Sequence, residues 1–388
     1  MTAGRPASAA SALLPVAICD VTLREGEQRV DGAFSPDAKL AIARELSALG
    51  VAALQLGPGE EDLALTRRLR AAGLPCPVEI TCFGMGRRWR ELIDRVAAAG
   101  CPAVQIVIRA GREQLAAMGW PPERVLDHAE TAVRHAASSG LAPCLGISFA
   151  PQADPAVLDG LCAAAASAGA RWVALADSLG TARPRDIAAL VMQASRHGIP
   201  VSVHCHDDLG LAIANSLAGV EGGARRVEAS VLGLGERSGN ARLEVLAVAL
   251  LLQLKADSGI RLDRLCRATR TIAGLAQVDI PPEAPVVGRH AFATKLDVHL
   301  RLAQRDPGAL MPFDPALVGN ERQVVAGKGS GPAVLRAALN RAGIDLGDDR
   351  LPHLAVLVGQ QAERQGRAMT DDELAGLAAR LDGGGNPV

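Results

Sequence analysis

With 388 residues, 49% hydrophobic and 21% charged, the chain has the composition of a soluble globular protein and exceeds the size at which one hydrophobic core usually stops growing; one large domain plus a smaller one is expected. A net charge of −1, with Lys and Arg spread rather than clustered, gives no electrostatic footprint for nucleic acid. No segment approaches the roughly 18 uninterrupted apolar residues needed to cross a bilayer, so neither nucleic acid nor membrane is an expected partner.

Residues 1–15 are rich in Ala and Ser, and their only apolar patch, Ala12-Leu13-Leu14, is too short for the core of a signal peptide. They are expected to form a flexible N-terminus of a cytoplasmic protein. Eight cysteines, scattered without a C-x-x-C pair, read as reduced thiols.

From residue 16 one alternation repeats: a short β-rich apolar run, then a longer stretch of helical periodicity ending near Gly. Strands are expected at 16–22, 52–57, 77–82, 103–108, 143–149, 172–177, 200–206 and 227–232. Helices are expected at 36–49, 60–72, 87–99, 122–139, 155–168, 184–197, 210–221 and 240–255. Eight β/α units in about 240 residues point to a TIM barrel over 16–258 rather than an open doubly wound sheet. After 258 the repeat stops. A helical stretch, 260–277, leads to the stiff linker Pro281-Pro282-Glu283-Ala284-Pro285, an irregular region 286–331, and helices at about 332–342, 351–364 and 370–381. The last opens with Thr-Asp-Asp-Glu, a capping-box pattern. Residues 259–388 therefore read as a linker and a mainly helical C-terminal subdomain, expected to pack over a barrel mouth, its own or a neighbour's.

The stretch Val203-His204-Cys205-His206-Asp207-Asp208 ends the seventh strand, and side chains two apart on a strand point the same way, so both imidazoles can reach one ion. Spacing alone leaves two readings open, a metal site and a pair of polar strand-end residues meeting solvent. In a barrel, the strand C-terminal ends and the loops after them form the catalytic face. Thr22-Leu23-Arg24-Glu25, Asp177-Ser178, His204, His206 and the loop 233–240 would then converge on one mouth. A carboxylate with two imidazoles suits a divalent ion such as Mg, Mn, Zn or Fe, and three protein ligands leave positions open for substrate.

Asp20-Val21-Thr22-Leu23-Arg24-Glu25-Gly26-Glu27-Gln28 resembles the D-x-T-L-R-[DE]-G-x-Q signature of the DRE-TIM metallolyases. His204-Cys205-His206-Asp207-Asp208-Leu209-Gly210-Leu211-Ala212-Ile213-Ala214-Asn215, followed by Gly233-Leu234-Gly235-Glu236-Arg237-Ser238-Gly239-Asn240, is similar to the signature of the 2-isopropylmalate and homocitrate synthase branch. Pro312-Phe313-Asp314-Pro315, Val318-Gly319 and Gly327-Lys328-Gly329-Ser330-Gly331 resemble a run found in homocitrate synthases. The short C-terminal region, without a leucine-sensing regulatory domain, looks most like the nitrogen-fixation type.

The resemblance implies an acyltransferase that joins acetyl-CoA to 2-oxoglutarate, or a related 2-keto acid, by Claisen condensation and then hydrolyses the thioester. It implies a homodimer, and a divalent ion on Glu25, His204 and His206, with Asn240 as a possible fourth ligand, polarising the keto carbonyl. Arg24 would bind the keto acid and neutralise charge developing on its oxygen, and Ser178 would hold its carboxylate. His299 would serve the proton transfer.

The departures from the pattern fall on the residues that handle that proton. Ser148 stands where a catalytic glutamate is expected; Thr294 and Lys295 replace a histidine and a glutamate near His299; Leu310 occupies the place of a tyrosine, and the chain has none. Gln55 and Ser202 replace two further acidic residues. Three outcomes are compatible with these changes: slow condensation using His299 alone, a different keto acid or a lyase reaction on the same metal site, or a metal- and keto-acid-binding paralogue without synthase activity.

Overall fold

The structure, a computed structural model, describes residues 13–306 and 308–382. Most of the flexible N-terminus expected at 1–15 lies outside the described residues. Eight parallel strands close into a barrel: β1 (Ala17–Asp20), β2 (Ala53–Leu56), β3 (Val78–Phe83), β4 (Ala103–Arg109), β5 (Ala142–Ser148), β6 (Trp172–Asp177), β7 (Val201–Cys205) and β8 (Arg226–Ala229). Each falls within one residue of the run expected for it or inside it. The reason is physical: a strand covered by helices outside and by side-chain layers inside must be apolar along its whole length. β1 closes the ring on β8, with Ala17 opposite Arg226 and Asp20 opposite Ala229.

The covering helices are α1 (Pro36–Leu49), α2 (Glu60–Ala71), α3 (Trp89–Ala98), α4 (Pro122–Ser138), α5 (Pro155–Ser167), α6 (Pro184–Ser195), α7 (Ala212–Glu221) and α8 (Leu243–Leu254). Their starts follow local chemistry. Ser35 and Asp154 cap α1 and α5 by accepting from Ala38 and Ala156, and Pro occupies the first position of both helices. Gly50 ends α1 in the left-handed region (φ 99°), which an L side chain rarely adopts.

Three local expectations need correction. Thr22–Glu25 does not extend the first strand but forms one helical turn, because the Asp20 carboxylate accepts both the Thr22 N–H (2.9 Å) and its hydroxyl (2.8 Å) and so bends the chain at once. Arg112–Met118 is an additional short helix between β4 and α4. In the region read as irregular, Asp297–Arg305 is helical, with Leu300 as its one buried residue; so narrow an apolar stripe gives little periodic signal.

The chain divides into two compact units between Asp279 and Ile280. The barrel domain thus runs past the expected limit of 258, since α9 (Leu265–Leu275) buries Leu265, Cys266, Ala268 and Ile272 within the first unit and packs on α1. In the second unit, α10 is Asp297–Arg305, followed by α11 (Pro332–Arg341), α12 (Leu351–Gln365) and α13 (Asp371–Asp382). Leu335, Leu339, Leu354, Val358, Leu374 and Leu377 form its core. Asp297 binds the open N-terminus of α11, accepting from Ala333 and Val334 at 2.9 Å each. The capping box before α13 is complete: Thr370 N–H donates to Glu373 Oε2 (2.9 Å), and Glu373 N–H to Thr370 Oγ1 (3.2 Å). All eight cysteines are free and buried, and no described helix is long and apolar enough to cross a membrane.

Candidate metal centre

The turn after β1 and the end of β7 meet at the C-terminal mouth. The Asp20 bend orients Thr22, whose Oγ1 accepts from Val231 N–H (2.9 Å) and ties the exit of β1 to the exit of β8. That tie fixes the following turn, which presents Arg24 and Glu25 to the barrel interior. On β7, His204 is a strand residue, and His206 is one position beyond its end, bridging to Asn240. Their Nε2 atoms face each other at 3.3 Å, and Glu25 Oε1 lies 3.9 Å from His204 Nε2.

These three side chains are all buried, and they offer ligand atoms within 4.8 Å of one another. Ligands about 2.0–2.2 Å from one ion lie roughly 3–3.5 Å apart, so the set fits a divalent cation with small adjustment. Electrostatics agree with that chemistry. Burial and the neighbouring His204 pull His206 down to about 4, so it is a neutral imidazole with a lone pair to give. Burial alone would raise the Glu25 carboxyl, but Arg24 and the two imidazoles outweigh it and hold it at about 2.

Glu228, on β8 beside His204 in register, places Oε2 3.0 Å from His204 Nδ1. The two atoms are in ion-pair contact without hydrogen-bond alignment; a carboxylate so close favours the proton on Nδ1, which leaves the Nε2 lone pair for a metal ion. Glu228 is fully buried, yet His204, Arg24 and Arg226 keep it ionised, below its ordinary range. Its role was not apparent in the sequence, because it needs the register of β8 against β7. We expect Glu228→Gln to weaken Mn(II) binding about 10- to 100-fold by calorimetry, with the fold intact by circular dichroism.

Asn240 donates through Nδ2 to Leu234 O (3.3 Å) and Glu25 Oε2 (3.5 Å), and its Oδ1 remains a buried acceptor without a partner. The loop before it needs its glycines. A Cβ at Gly235 would stand 2.1 Å from Asn240 Nδ2, and one at Gly239 (φ 88°) 1.9 Å from Gly233 O. Arg237 pins this loop, donating to Asp208 Oδ1 (2.8 Å) and Oδ2 (2.9 Å) and to Ser178 O (2.7 Å).

Arg24 donates through Nε to Gln55 Oε1 (2.6 Å) and through Nη1 to Glu25 Oε1 (2.5 Å). Gln55 in turn donates to Gln105 Oε1. A neutral amide therefore stands behind the guanidinium at the position where the resemblance leads one to expect a carboxylate. Ser178 Oγ accepts from the Phe149 N–H (2.8 Å), so its own proton is available to a ligand. Asp177, at the end of β6, instead shapes the loop, accepting from Thr181 and Ala182.

A cavity of about 920 Å³ opens over these groups, lined by Arg24, Glu25, Ser178, His204 and His206 among others. Of the expected site residues, the barrel unit brings together Arg24, Glu25, Ser178, His204, His206 and Asn240. His299 belongs to the C-terminal unit, where it is exposed on α10.

The HMGL-like family profile matches residues 15–272. A provisional (R)-citramalate synthase of Methanopyrus kandleri is 32% identical over 94% of this chain and 72% of its own. The 2-isopropylmalate synthase of Solidesulfovibrio magneticus is 32% identical over 92% and 72%, and homocitrate synthase 1 of Nostoc sp. 32% over 93% and 96%. Among solved structures, the HMG-CoA lyase of Brucella melitensis superimposes with a TM-score of 0.57 at 22% identity, over 68% of this chain and 99% of that one, a likeness of fold.

Proposed function

The chain belongs to the HMGL-like family, and on that footing we propose that it is a divalent-metal-dependent acyltransferase that condenses acetyl-CoA with a 2-keto acid, 2-oxoglutarate in our reading, and hydrolyses the thioester. The observation that carries the proposal is the buried Glu25, His204, His206 set on the wall of a cavity of about 920 Å³, with Arg24 beside it. The three relatives of about 32% identity are named as synthases of citramalate, 2-isopropylmalate and homocitrate, which supports the reaction class; the choice of 2-oxoglutarate rests on the homocitrate-synthase-like motifs beyond the barrel.

Glu25, His204 and His206, with Asn240 Oδ1 as a fourth donor, would hold the ion, which when bound supplies Lewis acidity to the keto carbonyl. The protein's own groups do the rest. Ser178 O–H donates to the carboxylate of the keto acid. Arg24, with Nε and Nη1 engaged, keeps Nη2 for the negative charge that develops on the former carbonyl oxygen as the acetyl methyl carbon bonds to the keto carbon. The methyl proton goes to a base, the oxygen takes up a proton, and water then cleaves the thioester to free CoA. The resemblance would give this role to His299.

One observation favours a second reading, a metal- and keto-acid-binding protein without turnover. Ser148 is neutral, and the cavity's carboxylates Glu25, Glu228 and Glu236 lie against Arg24, His204 and Arg237 rather than standing free as bases. Thiol release separates the two. Protein loaded with Mn(II) or Mg(II) is expected to free CoA from acetyl-CoA with at least one 2-keto acid of a panel. Metal binding without CoA release from any of them would sink the synthase reading and leave the binding one.

A further inference from the structure

Three arginines line the barrel cavity, and they differ in what they touch. Arg24 lies against Glu25, and Arg237 grips Asp208 and meets Glu236 at 3.2 Å. Arg109, the last residue of β4, has no acidic partner within ion-pair distance among the described residues. Its side-chain contact is a thioether, Met118 Sδ at 3.8 Å from Nη1, and its backbone N–H donates to Met85 Sδ (3.2 Å). The residue in register on β5 is Ser148, which carries no charge to balance it.

A guanidinium on a cavity wall, with sulfur rather than carboxylate beside it, keeps most of its five N–H donors for a ligand. Its planar fork matches a carboxylate in two parallel hydrogen bonds. The ring order sets where such a ligand would lie. β4 stands directly across the barrel from β8, which carries Glu228 behind His204, and three strands from both β1 and β7, which position Glu25 and His204. A keto acid with its keto end at those side chains has β4 across the mouth from it.

Resting on the condensing function proposed above, we infer that Arg109 binds a second carboxylate at the far end of the keto acid and so selects a dicarboxylic over a monocarboxylic 2-keto acid. The phosphates of acetyl-CoA are the other anions that reach this site during turnover, and the test separates the two sources.

Arg109 is exposed, so replacing it spares the core. With the metal-loaded enzyme, kcat/KM should be higher for 2-oxoglutarate or oxaloacetate than for pyruvate or 2-oxoisovalerate. Arg109→Met should raise KM for the dicarboxylic substrates about 10- to 100-fold, the loss of a charge-assisted hydrogen-bond pair. KM for acetyl-CoA and kcat/KM for pyruvate should stay within about twofold, and Arg109→Lys should recover part of the loss. A rise in KM for acetyl-CoA alone, or equal losses with mono- and dicarboxylic substrates, would overturn the assignment. If no keto acid supports CoA release, the condensing function fails, and calorimetry still decides about Arg109. Binding of 2-oxoglutarate to the Mn(II)-loaded protein should weaken at least tenfold in Arg109→Met, and unchanged binding would refute the inference.

Discussion

Arg24→Ala is expected to lower kcat for CoA release by about 10²- to 10³-fold while changing Mn(II) affinity much less, the scale found when one preorganised donor to a developing oxyanion is removed. The expectation comes from where Arg24 is held. Gln55 fixes Nε, Glu25 takes Nη1, and the amide of Gln105 locks Gln55, so Nη2 needs no reorganisation as charge develops. Gln55 and Gln105 are neutral, so this hydrogen-bonded pair adds no carboxylate to compete for the guanidinium. Arg24→Lys keeps the charge but cannot bridge Gln55 and the substrate together, and should recover only a small part of the rate. Steady-state kinetics at saturating metal make the comparison; an unchanged kcat in Arg24→Ala would remove Arg24 from the chemistry.

The largest loss is expected from the double variant Glu25→Ala, His206→Ala. It removes two of three ligands and leaves His204, still backed by Glu228, as a lone imidazole. One imidazole and an amide oxygen do not hold a divalent ion at micromolar concentrations. CoA release should fall below detection, and adding EDTA to the native protein should reproduce the loss, reversed by Mn(II) or Mg(II). The variant should remain folded. Glu25 is a buried charge whose partners Arg24 and His204 also have Gln55 and Glu228, so its removal leaves neither of them without an acidic or amide neighbour. If the variant turns over normally, or the native protein ignores EDTA, the ion has no part in the reaction.

Much of this could be read before any coordinates. The eight strands were legible because each is apolar along its length, and the helices because their capping residues and terminal glycines are local signals. The pairing of His204 with His206 followed from the two-residue period of a strand, and their meeting with Glu25 followed from the rule that barrel strand ends converge. What was hidden depends on register or on a single contact. The bend at Asp20, which converts Thr22–Glu25 from strand to helical turn, arises from one carboxylate accepting two hydrogen bonds. Glu228 reads in sequence as a polar residue within an apolar strand; only its position beside His204 makes it the group that favours a proton on Nδ1. Ser148 reads as the loss of a base, whereas in the barrel it is the neutral neighbour of Arg109. The extension of the barrel domain beyond residue 258 was hidden because α9 belongs to no β/α unit and shows its attachment only by packing on α1.

In the reading proposed above, one divalent ion is held by two imidazole nitrogens and a carboxylate inside the barrel. Electron paramagnetic resonance of the Mn(II)-loaded protein, with pulsed detection of nitrogen couplings, tests it most directly. One bound Mn(II) per chain is expected, with two histidine nitrogens coupled to it, one lost in His204→Ala and the other in His206→Ala. A tightly bound Mn(II) showing no nitrogen coupling, or couplings that persist in both variants, would contradict it.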